Sequence, residues 1–154
     1  MLYLVQHGEA VTKDIDPDRP LTSDGKDAVL RLAMFLSNQG ISVDRVLHSG
    51  KTRARETAEI FAKSIAESGL TEAISGINPD DPVEELVTFV EDLTAPTMIV
   101  GHLPFMAKLV SRLILHSDDV ALVEYEPGSV VCLNKAENNN WIVSWMIRPE
   151  LTRK

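Results

Sequence analysis

Cysteine is almost missing from this chain of 154 residues: Cys132 stands alone in the run Val130-Val131-Cys132-Leu133, so no internal disulfide can form. A small buried apolar side chain is the reading for it, and a reducing cytoplasm the compartment it fits. Positive charge is also in deficit. The 15 Lys and Arg against 23 Asp and Glu leave a formal charge of -8, which argues against a general nucleic-acid or anionic-membrane binder. Any anionic ligand must then be held by a local positive pocket. No apolar run reaches the roughly eighteen residues a membrane span needs, and no basic segment leads into an apolar one at the start, so the expectation is a soluble protein without a signal peptide. Internal repeats, low-complexity tracts and linkers are lacking too, and with 44% hydrophobic residues the chain reads as one domain, residues 1–154.

What is present begins at once. Leu2-Tyr3-Leu4-Val5 is an uncharged, β-prone run that stops at Gln6-His7-Gly8-Glu9. It predicts a strand buried on both faces, with Gly8 allowing a sharp turn and His7 at the strand's carboxyl end, the edge where open α/β sheets bind ligands. Residues 11 to 20 carry Pro17 and Pro20 and read as a loop over that edge. Lys13 and Arg19 can face an anion from it, or be solvated loop charges. Thr22 offers an N-cap to a helix whose apolar face is Ala28, Val29, Leu32, Ala33 and Leu36, stopped by Gly40.

A second strand, Arg45-Val46-Leu47, leads to His48-Ser49-Gly50-Lys51-Thr52-Arg53. Gly50-Lys51-Thr52 is not a P-loop, because Arg45 stands where that motif needs its first glycine. Ser49 reads as the cap of the next helix, with Ala54, Ala58, Phe61 and Ile65 inward and an end near Gly69. Arg53 then lies in the first turn, aimed at the same edge as His7 and suited to a phosphate. Arg55, about 200° further round, pairs with Glu59 instead. Beyond a connection over residues 69 to 80 containing a short strand end, Asp81, Pro82 and Glu84 predict a helix start with Asp81 as cap, and Val83, Leu86, Val90 and Leu93 as its buried face.

Thr97-Met98-Ile99-Val100-Gly101-His102-Leu103-Pro104 repeats the opening pattern, a strand ending in histidine, before a helix bearing Phe105, Met106, Leu109, Val110, Leu113 and Ile114. Two strand-end histidines and one first-turn arginine are hard to assign to packing. His48 borders the same place, and His116 reads as a surface cap. The last third, Ser129–Leu133 and Trp141–Ile147 around Asn138-Asn139-Asn140, predicts an antiparallel hairpin with Trp141, Val143 and Trp145 on one face and Pro149 ending the sheet.

These motifs together, Gln6-His7-Gly8-Glu9, Pro20-Leu21-Thr22 with Gly25, Ser49 through Arg53-Ala54 to Thr57, and Gly101-His102-Leu103-Pro104, resemble the histidine phosphatase superfamily, phosphoglycerate mutase-like, and within it the SixA-type phosphohistidine phosphatases. The resemblance runs in order to about residue 133. It implies a three-layer α/β/α fold whose central sheet is mostly parallel, with an antiparallel edge strand and a C-terminal hairpin. It further implies that His7 is phosphorylated as nucleophile, that Arg53 and His102 hold phosphoryl oxygens, and that Gln6, Gly8, Arg19 and Leu103 border the phosphate. The family usually has arginine where this chain has Gln6; an amide donates two N–H bonds but brings no charge.

The chemistry suits those parts. A neutral imidazole can attack phosphorus when its other nitrogen is tied to a carbonyl, and phosphoryl transfer asks mainly for alignment and positive charge, with no metal or other cofactor. The implied reaction removes a phosphoryl group from phosphohistidine on a signalling or phosphotransfer protein, in the cytoplasm and without nucleic-acid or membrane partners. A small-molecule phosphomonoesterase of the same superfamily is the alternative; such enzymes generally place a carboxylate at the leaving oxygen, and nothing in the spacing singles one out among Glu9, Asp80, Asp81, Glu84 and Glu85. A metal-dependent hydrolase using His7, His102 and Glu9 or Asp81 lacks any compact ligand motif. A non-catalytic phosphate-binding module is the reading that Gln6 motivates.

Overall fold

Side-chain alternation along the first strand splits the molecule into its two cores. In the computed structural model, which describes residues Met1–Lys154, Leu2 and Leu4 of β1 (Leu2–Gln6) face one side and Tyr3 and Val5 the other, all of them buried. The remaining elements follow as α1 (Ser23–Asn38), β2 (Arg45–His48), α2 (Thr52–Ile65), β3 (Glu72–Ala73), α3 (Glu84–Glu91), β4 (Thr97–Gly101), α4 (Phe105–Leu115), β5 (Val130–Lys135), β6 (Trp141–Ile147) and a 3-10 turn at Pro149–Thr152. The sheet order is β3-β2-β4-β1-β5-β6, parallel through the first four strands, with β5 antiparallel to β1 and β6 to β5. Helices α1 and α2 cover the Tyr3/Val5 face and α3 and α4 the Leu2/Leu4 face, which makes the three layers.

The helix faces agree with the periodicity: Val29, Leu32, Ala33 and Leu36 of α1 are buried, as are Ala54, Ala58, Phe61 and Ile65 of α2. Thr22 caps α1, its hydroxyl accepting the Gly25 N–H at 2.9 Å. Three local expectations are corrected. Helix α2 ends at Ile65, short of Gly69. Asp81 does not cap α3: its carboxylate accepts the Asn78 N–H at 2.8 Å, closing the preceding turn, and Val83 occupies the cap position without a side-chain bond. The two tryptophans do not share a face, because the β5–β6 register slips between Cys132 and Leu133, which pair with Trp145 and Val143 respectively. Ser144 is the extra residue of this bulge. Trp141 therefore packs in the α3/α4 core, its indole N–H donating to Glu91 at 2.7 Å, while Trp145 lies against Tyr3 in the other core. Cys132 is buried, as a small apolar side chain.

Parallel register brings the carboxyl ends of β1, β4 and β2 together. Gln6 is opposite Gly101 and His48 opposite Val100, so His7, His102 and Ser49 leave three adjacent strands at one edge. No helix is long and apolar enough to cross a membrane.

Candidate active site

Backbone packing fixes His7 before any side chain is considered. Its N–H donates to the Gly101 carbonyl at 3.0 Å and its carbonyl accepts from Gly128 at 3.0 Å. Gly8 is needed for closeness rather than for a left-handed turn: a Cβ there would stand 2.8 Å from Val29 and 3.3 Å from Leu21. At Gly25 the constraint is tighter, since a Cβ would meet the Glu9 carbonyl oxygen at 2.3 Å. Helix α1 thus presses directly on the turn that follows His7.

The imidazole is held in one tautomer. Nδ1 of His7 lies 2.7 Å from the Gly8 carbonyl and so carries the proton, leaving Nε2 with its lone pair free to accept from Arg53 Nε at 3.2 Å. Arg53 is in the first turn of α2, as the helix register predicts, and Arg55 is turned away to Glu59 at 3.7 Å. Thr57 ties the two halves together, its hydroxyl accepting the Gly8 N–H at 2.9 Å and donating to the Arg53 carbonyl at 2.8 Å. The Gly8 amide is therefore committed inside the protein.

His102 is 1% exposed, and its ring centroid is 5.1 Å from that of His7. Its Nε2 is 2.6 Å from the Ser49 hydroxyl, while Nδ1 is buried without a partner. Ser49 is thus not the cap of α2, a position taken by Lys51 without a side-chain bond; it holds the second histidine. Ser49 and Thr57 both stand in the motif that carries the resemblance, but sequence reasoning assigned neither of them a part in the site. Ser49 was legible only as a cap, because its true partner lies 53 residues away and is reached through the order of the strands.

Gln6 is half-buried beside His7, with its backbone bonded to Ser129 and Gly128 and its side-chain oxygen buried without a donor. Arg19 adopts a left-handed conformation, φ 48°, and its Nε donates to the Val11 carbonyl at 3.1 Å, a strained placement of the kind that gathers at functional sites. Leu103, 36% exposed, follows His102 on the rim. Lys13 is exposed and enters none of the ion pairs. His48 turns inward, its Nδ1 accepting the Gly50 N–H at 3.0 Å, and His116 ends α4 in a left-handed conformation. Among the acids, Asp81 is spent on its turn, and Glu84 pairs with Arg112 at 3.0 Å. No group of three or more His, Cys, Asp or Glu side chains is arranged to hold a metal ion.

Both histidines are held neutral. Burial is the largest influence and lowers His7 to about 4, with Arg53 and Arg19 adding repulsion, although the Gly8 carbonyl works the other way. Burial likewise brings His102 down to about 3, aided by Arg53, His7, Lys51 and Arg19. An unfolded histidine titrates near 6.5, so between that value and 3 to 4 the unfolded chain binds protons that the folded one refuses. What these two rings contribute to stability is fully present above pH 6.5 and is lost as the pH drops through this window. In a proton NMR titration the His7 and His102 ring signals should still report neutral imidazole at about pH 5, and Tm should decline between about pH 6.5 and 4. Titration of either ring near 6.5 would show that the site is not desolvated in this way.

The arrangement offers a neutral imidazole with a lone pair on Nε2, a guanidinium directed at that nitrogen and a second imidazole beside it. Over residues 2–77 the chain matches the model of the histidine phosphatase superfamily, branch 1. The phosphohistidine phosphatase SixA of Escherichia coli (strain K12) is 24% identical to it over 153 residues, 96% of this chain and 93% of that protein. A solved structure of the protein histidine phosphatase SixA complexed with tungstate has a TM-score of 0.86 to it, covering 99% of both chains at 23% identity. The alpha-ribazole phosphatase from Shigella flexneri has a TM-score of 0.74, covering 96% of both chains at 17% identity.

Proposed function

This chain belongs to the histidine phosphatase superfamily, and from that premise we propose that it removes phosphoryl groups from phosphohistidine carried on a signalling or phosphotransfer protein. The observation that supports this most directly is the His7 ring: proton on Nδ1 at the Gly8 carbonyl, lone pair on Nε2 at the mouth of the site. As the phosphoryl group arrives, Arg53 leaves Nε2 for the phosphoryl oxygens. Nε2 forms its bond to phosphorus while the substrate's P–N bond breaks; water then attacks the phosphohistidine on His7, releasing phosphate and restoring the imidazole. Arg53, His102, Arg19 and the Gln6 amide share the three equatorial oxygens, with Gly8 and Leu103 shaping the walls around them.

The leaving group supports phosphohistidine over an alcohol phosphate. An imidazole already protonated on its second nitrogen departs neutral, whereas an alkoxide needs a positioned acid. None of Glu9, Asp80, Asp81, Glu84 and Glu85 is bonded to His7, Arg53 or His102, and Asp81 and Glu84 are engaged elsewhere. The test is a comparison of kcat/KM for free phosphohistidine with that for an unactivated alkyl phosphate such as glycerol phosphate. The expected result is a preference for phosphohistidine of at least about 10², the lower end of what a general acid contributes. Equal values, or faster release from the alkyl ester, would favour a small-molecule phosphomonoesterase.

A further inference from the structure

Beside His7, between the start of α1 and the C-terminal turn, lies a polar cleft of about 510 Å³ that the reaction does not use. Both of its walls are anchored at the nucleophile. One begins with Glu9, two residues beyond His7, whose carbonyl accepts the N–H of Thr22, the cap of α1, at 2.9 Å. The other includes Pro127, next to Gly128, whose N–H is bonded to the His7 carbonyl. The cleft is therefore tied through the backbone to the strand end that carries His7.

The charges in the cleft are ordered. Arg148 is already occupied, by Glu124 at 3.4 Å and by Glu126 and Glu150 at 3.8 Å. Glu9, Asp24, Asp27, Arg31 and Arg153 line the cleft and enter no ion pair, and the Nε of Arg31 is buried without a hydrogen-bond partner. Asp24, Asp27 and Arg31 fall on one face of α1, and at 1.5 Å per residue Arg31 is about 10 Å further from the site than Asp24. Along the α1 wall, moving away from its start beside Glu9, the unpaired charges are thus first negative and then positive. About 10 Å corresponds to roughly three residues of extended polypeptide.

We infer that this cleft docks the polypeptide flanking the phosphorylated histidine of a protein substrate, a segment with a basic residue next to that histidine and an acidic one about three residues beyond. The inference rests on the reading of the site as a phosphohistidine phosphatase. It goes further in assigning substrate recognition to a surface outside the phosphate site, one that a free amino acid or a small phosphate ester does not reach.

Two short peptides of equal composition test it, each with a single central histidine phosphorylated chemically with phosphoramidate. One carries Arg on both sides of the histidine and Glu three residues beyond each Arg; the other has the Arg and Glu positions exchanged. The symmetric layout serves either chain direction. The expected result is a KM about fivefold lower for the Arg-near peptide, the size expected of two partly exposed ion pairs, with kcat unchanged. In Arg31→Ala/Arg153→Ala the two KM values converge, while kcat/KM for free phosphohistidine stays as in the parent. The exposed Arg153→Ala alone reduces the preference, which guards against a folding defect from the half-buried Arg31. Equal KM values in the parent protein, or an equal loss on free phosphohistidine in the double variant, would overturn the inference. Should the parent hydrolyse no phosphohistidine at all, the catalytic reading has failed, and fluorescence anisotropy of the unphosphorylated peptides decides the cleft separately. Tighter binding of the Arg-near peptide, lost in the double variant, upholds it; no preference overturns it.

Discussion

His7→Ala is expected to abolish turnover, with a loss on the order of 10⁴ to 10⁶, as when the nucleophile of a covalent mechanism is removed. The size follows from geometry: His7 Nε2 is the atom to which Arg53 is directed, while Nδ1 is spent on the Gly8 carbonyl. The neighbouring imidazole cannot take over, because His102 shares its Nε2 with Ser49 and its Nδ1 is buried. A brief reaction with labelled substrate, quenched in alkali and mapped by peptide mass spectrometry, should place the phosphoryl group on the peptide containing His7. Phosphate on another residue, or an active His7→Ala protein, would refute the assignment. The variant should fold, since His7 is only part-buried and the turn around it is set by Gly8, Gly25 and Thr57.

The second large effect separates two arginines that the sequence places two residues apart. Arg53→Ala should lower kcat by roughly 10² to 10³, the loss seen when one preorganised donor to a developing charge is removed. Arg55→Ala should change it by less than about twofold, because that side chain is half-exposed and paired with Glu59 on the outer surface of α2. Steady-state kinetics of the two variants on one substrate decide the matter. Equal losses would mean that the guanidinium of Arg53 is not the group that meets the phosphoryl oxygens, whatever its position in the resting site.

Much of this was open to a reader of the sequence, for a local reason. Apolar runs ending in histidine at Val5 and Gly101 mark strand ends, because side-chain burial on both faces of a parallel strand is a property of consecutive residues. The α1 cap at Thr22, the inward faces of α1 and α2, and the divergence of Arg53 from Arg55 follow equally from spacing along one helix. Each of these depends on interactions within a few residues of chain.

What only the tertiary structure decided depends on contacts between distant segments. Asp81 and Ser49 both have the chemistry of a helix cap, and each was drawn to a better partner, a backbone N–H in its own turn for one and the buried ring of His102 for the other. The single extra residue at Ser144 sent Trp141 and Trp145 to opposite faces, since a period of two is reversed by one bulge. Composition and periodicity say that strands exist and where they stop. That β2, β4 and β1 stand side by side, so that Ser49, His102 and His7 meet at one edge, was settled by the packing of two helical layers on the sheet, a choice no local run of residues records.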